Sequence, residues 1–230
     1  MGRRGEIRRG AAVAWAGVGR RRVVAIVLIG MAAALAIAMA EHASAPLPAP
    51  RRTLAAVWGA ILPLTGLALV GTIVPRRLEE RLWGLARFGA SRRRLAWGAV
   101  AVAMLLTALA SVSFTAAALP VAYGGQPGLL PDLGATLVVA MVGGASYAAL
   151  LCLGTTIGSR GGGRYVVLGA DWWLGAGTGT LATLWPRRHL TTLAGGPPPV
   201  ADLSEPVASA VVLAGLGLAA AWFAGRRLPP

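Results

Sequence analysis

The spacing of charged residues constrains this chain most, because it leaves apolar runs long enough to cross a bilayer. A hydrocarbon core about 30 Å thick needs roughly 20 helical residues. Charge-free or nearly charge-free stretches that meet this length lie at about 23–40, 53–75, 95–120, 133–158, 165–185 and 206–225. The third belongs to a longer uncharged run that breaks at Pro120, ahead of the turn-rich Tyr123-Gly124-Gly125-Gln126-Pro127-Gly128. Pro63 falls inside the second and predicts a kink that neighbouring helices absorb. The expectation is an all-α polytopic membrane protein with six transmembrane helices. Composition agrees, since 56% of residues are hydrophobic and 13% charged, against roughly 45–50% apolar content in soluble domains.

All 22 basic residues are Arg. The absence of Lys excludes a Walker-A phosphate loop and a Schiff-base enzyme. One cysteine, Cys152, and two histidines, His42 and His189, leave no disulfide and little for a metal cage. The arginines read as a topology signal rather than a nucleic-acid footprint. With the N-terminus inside, 18 lie in cytoplasmic segments, and Arg51, Arg52, Arg187 and Arg188 remain outside. Residues 1–22 are then a basic cytoplasmic segment, 226–230 a cytoplasmic tail, and both histidines fall in exterior loops. Trp58, Trp172, Trp173, Trp185 and Trp222 sit near span ends, as interfacial anchors do. Heavy use of Ala, Arg, Gly and Pro points to a GC-rich bacterial genome, hence a bacterial inner membrane. A competing reading takes the first run as a signal peptide, with Ala38-Met39-Ala40 or Ala43-Ser44-Ala45 as cleavage site. Its length and long basic leader favour a retained span.

Exterior loops are too short for a soluble domain. The one substantial cytoplasmic segment, 76–94, carries Leu78, Leu82, Leu85 and Phe88 at helical spacing, so the sequence predicts an amphipathic helix between spans two and three. Such a helix can lie on anionic headgroups or dock a cytoplasmic partner. Glu79 and Glu80 favour the partner, because anionic lipid would repel them.

Within the spans, Asp171 is the one acidic residue, and it is read as structural or as a substrate or proton site, with Arg164 seven residues away as a partner. Gly154 and Gly158, Gly143 and Gly144, and Gly175, Gly177 and Gly179 read as close-packing positions. Ser111, Ser113, Thr115, Thr155 and Thr156 can line a path or bond to their own helices. No intramembrane protease constellation is visible: Ser146 lies in Gly-Ala-Ser-Tyr. No catalytic activity is expected of this chain.

Six spans with both ends inside, short loops and a charged amphipathic helix after the second span resemble the permease subunit of type-2 ATP-binding-cassette exporters. Leu85-Ala86-Arg87-Phe88-Gly89-Ala90-Ser91-Arg92-Arg93 is also similar to a coupling segment of four-span permeases with large periplasmic domains, for which this chain has no room. The resemblance implies a cytoplasmic ATP-binding-cassette ATPase as partner, holding the ATP and Mg, with no cofactor in this chain. It also implies a homodimer or paired permease in the bilayer. Leu78, Glu79, Glu80, Leu82, Leu85 and Phe88 would couple the two subunits. The family often has short re-entrant helices before the last span, where this chain has Gly195-Gly196-Pro197-Pro198-Pro199. The alternatives are a membrane scaffold or assembly factor, and an autonomous carrier using Asp171.

Overall fold

The computed structural model of the chain describes residues 3–16, 18–74, 91–198 and 206–226, and every regular element among them is helical. Five helices are long and apolar enough to cross a membrane: α2 (Arg20–Ser44), α3 (Ala49–Ile73), α4 (Arg92–Tyr123), α5 (Leu129–Thr155) and α8 (Pro206–Arg226). Shorter helices are α1 (Arg3–Ala16), α6 (Gly163–Leu174) and α7 (Pro186–Leu193). The five correspond to the first four and the last of the expected spans, some extended by a turn among flanking arginines, which are good helix formers. Pro120 sits in the last turn of α4 without ending it, and the chain turns instead at Gly124 and Gly125, with φ of +54° and +84°.

The segment expected as a fifth span, 165–185, is not one helix. α6 has 12 residues, about 18 Å of helix and too short to span. Gly175, Gly177 and Gly179 follow, the last at φ +105°, then a 3-10 turn at Thr180–Leu184, and Pro186 starts α7. These glycines break the helix instead of packing it. Of the other pairs, Gly144 lies against the Thr107–Ala108 backbone of α4 and Gly154 against Arg164, whereas Gly158 takes φ +77° in a turn. α3 carries a π-helical segment at Val57–Ile61 immediately before Pro63. A proline removes one intrahelical donor, and the wider π turn accommodates the mismatch.

The basic N-terminal segment is also more than a charge signal. α1 crosses the start of α4 so closely that a methyl on Gly98 would overlap the Ile7 carbonyl, and one on Gly10 the Leu95 carbonyl. Arg94 Nη1 donates to Glu6 Oε2 at 3.0 Å and fastens the crossing.

Contacts define two ends. The starts of α2 and α4, the C-termini of α3, α5 and α8, and the start of α6 share an arginine-rich end. There Arg164 Nη1 donates to the Val74 carbonyl at 2.9 Å, and Trp97 meets Trp222. At the opposite end the His42 ring bonds the Ala122 carbonyl through Nδ1, 3.1 Å, and Gly124 leaves room for that ring. The interior is dominated by alanine, with Trp58, Phe114, Tyr147 and leucines filling the wider gaps. Outward faces carry Leu28, Ile29, Val166, Trp173, Val211 and Leu218, all exposed. An apolar exterior over a core containing Asp171 and Arg188 is compatible with a hydrocarbon solvent. Trp58, expected near an interface, is buried.

Candidate functional site

The break between α6 and α7 brings charged groups together inside the bundle. Asp171 is the ninth residue of α6, about 12 Å from the arginine-rich end, and is 1% exposed. α5 presents Tyr147 at the same level, and its hydroxyl donates to Asp171 Oδ2 at 2.8 Å. α7 begins beside them after the extended Trp185, which has no side-chain acceptor to cap the helix. The Arg187 backbone N–H donates to Asp171 Oδ1 at 3.2 Å. A carboxylate from α6 therefore takes the place of an N-cap for α7, satisfying one exposed donor and meeting the positive end of the helix dipole.

Arg187 lines the same junction. Its Nη1 lies 3.5 Å from the Trp172 carbonyl, its guanidinium is 5.9 Å from the Trp172 ring, and its side chain runs against Gly59 in the π segment. Across that segment Trp58 Nε1 donates to Thr115 Oγ1 at 3.0 Å. Arg188 and His189, assigned to an exterior loop by the sequence, are buried on α7. Arg188 Nη2 donates to the Pro197 and Pro198 carbonyls, both at 2.9 Å, and His189 Nε2 lies 2.8 Å from the Thr183 carbonyl.

Arg164, the partner expected for Asp171, turns to the end of α3. Thr155 and Thr156 donate to the Cys152 and Leu153 carbonyls of their own helix, at 2.6 and 2.7 Å. Thr107, Ser111 and Thr115 instead form a stripe at four-residue spacing along buried α4. Among the described residues, the first two hydroxyls have no hydrogen-bond partner. Tyr147 and Arg187 escaped the sequence reading. The signal that could have found them was Gly175, Gly177 and Gly179 before Pro186, which marks a break that returns the chain to the level of Asp171. Leu78, Glu79, Glu80, Leu82, Leu85 and Phe88 lie outside the described residues.

Beyond α7, at the end opposite the arginines, a cavity of about 550 Å³ opens between helix ends. Leu54, Leu119 and Leu193 contribute its apolar lining and Arg51 and Asp132 its charges. Tyr123 donates to Asp132 Oδ2 at 2.5 Å.

Among the described residues the fold is all-helical, with five helices long and apolar enough to cross a membrane and a charged, discontinuous segment packed against them. No family model, no curated protein and no solved structure matches the chain.

Proposed function

We propose that this chain is the membrane-spanning permease subunit of an ATP-driven transporter of the exporter type, powered by a separate cytoplasmic ATPase. The observation that carries the reading is the discontinuous α6–α7 segment, which holds Asp171, Tyr147 and Arg187 together at mid-depth among continuous helices. Helices broken near the bilayer midplane, with charged groups at the break, are a recurrent device of transporters. The segment starts at the arginine-rich end and α7 finishes beside Arg51 at the other, so in this reading it makes the sixth crossing. Both termini then face the cytoplasm. In this reading the buried hydroxyls on α4 and the cavity at the opposite end are the polar groups a route would draw on when the helices move.

An autonomous carrier is a weaker reading, because both oxygens of Asp171 are already engaged by fixed donors. Energy would enter through residues 76–94, with Leu78, Glu79, Glu80, Leu82, Leu85 and Phe88 meeting the ATPase. Purification from the native membrane in mild detergent tests this. An ATPase with a Walker motif should co-purify and be lost in Leu82→Asp/Leu85→Asp, and charge reversal of Glu79 and Glu80 should abolish ATPase stimulation without blocking insertion. Recovery of no ATPase under conditions that preserve transporter complexes would favour a scaffold.

A further inference from the structure

At the arginine-rich end the start of α4 and the end of α8 lie side by side, and two indoles and two guanidiniums gather there. Trp97 and Trp222 meet with ring centroids 6.2 Å apart and planes tilted by 60°. Gly225 makes the approach fit, since a Cβ there would lie 2.8 Å from the Trp97 ring. The Arg226 guanidinium carbon lies 4.1 Å from the Trp222 centroid and that of Arg93 lies 5.9 Å away. Sharing one ring holds the two cations within about 10 Å of each other, roughly a Debye length, so one anion can feel both. Neighbouring Arg94 is paired with Glu6, but among the described residues neither Arg93 nor Arg226 has a carboxylate partner. Cation–π contact positions such charges without neutralising them. An anion at the ring edge, in reach of both, would.

The surroundings say which anion. From this cluster an exposed apolar stripe runs along α8 through Trp222, Leu218, Val211 and Val207, at the spacing of one helical face. A free phosphate would use the charges and leave that stripe bare; a lipid uses both.

We infer that Arg93 and Arg226, held on Trp222 beside Trp97, form a binding site for the phosphate of an anionic phospholipid whose acyl chain lies along the outer stripe of α8. The site bridges α4 and α8 and fastens those two helix ends together. It requires that the chain lie in a membrane and is independent of the permease reading.

Thermal unfolding of the full chain in mild detergent tests it, with phosphatidylglycerol added against phosphatidylcholine of the same acyl chains. Phosphatidylglycerol should raise the unfolding midpoint, and Arg93→Gln/Arg226→Gln should weaken its apparent affinity about tenfold. Arg20→Gln/Arg21→Gln removes the same charge at the same end and should change it less than about twofold. Equal losses in the two variants would reduce the effect to net charge and overturn the site. Displacement of the lipid by millimolar inorganic phosphate would identify a free-anion site and also overturn it. On the unaltered chain, a photoreactive phosphatidylglycerol should crosslink within residues 92–97 and 207–226; crosslinks confined elsewhere would contradict the assignment.

Discussion

Asp171 does for α7 what a capping side chain does for most helices, but from a different helix. That arrangement separates a structural from a chemical role. Asp171→Leu leaves the Tyr147 hydroxyl and the Arg187 N–H buried without an acceptor and should cost about 2–4 kcal/mol, seen as a lower unfolding midpoint in detergent. Asp171→Asn keeps an acceptor for Arg187 and can donate to the Tyr147 oxygen, so it should cost about 1 kcal/mol or less. Tyr147→Phe removes one bond of the pair and should fall near 1 kcal/mol. If transport depends on charge at this site, Asp171→Asn should abolish it while leaving the fold intact. The sequence made Asp171 conspicuous, as the one carboxylate within a predicted span. Its partners are not legible, because Tyr147 is 24 residues away and the charge pattern places Arg187 in an exterior loop. A continuous helix over 165–185 carries residue 187 to the far interface; only the break returns it to mid-depth.

At the scale of elements, charge spacing made five long helices readable, since a membrane span must be apolar over a fixed length whatever its neighbours are. Hydropathy does not report backbone conformation. Gly175, Gly177 and Gly179 suit close packing and a chain break equally well, and φ +105° at Gly179 decides for the break. Nor does an arginine count reveal that α1 packs on α4 through Gly10 and Gly98. Gly98→Leu should therefore detach α1, costing about 1–3 kcal/mol and making residues 3–16 sensitive to limited proteolysis while the long helices stay protected. The end of α7 makes a similar point. Gly195 at φ +91° closes the helix, with its N–H on the Thr192 carbonyl and that of Gly196 on Thr191. Gly195→Ala should lose about 1–2 kcal/mol from the left-handed conformation, readable in the same unfolding assay, and it also crowds Arg51.

For the whole molecule, the account rests on where the discontinuous segment begins and ends. If α6 and α7 together cross the bilayer, α8 returns the chain to the side where it started, and the cavity beside Arg51 and Asp132 faces outward. If the segment instead dips in and comes back, that parity fails. Buried Cys152 can be replaced by Ala to give a cysteine-free background. Single cysteines Gln126→Cys, Ile157→Cys and Pro197→Cys then sample the α4–α5 turn, the α5–α6 turn and the stretch after α7. With a membrane-impermeant maleimide on intact cells, the account predicts labelling of Gln126→Cys and Pro197→Cys from outside, and of Ile157→Cys only after permeabilisation. Labelling of Pro197→Cys only after permeabilisation, together with Ile157→Cys, would contradict the crossing on which the proposed site is built.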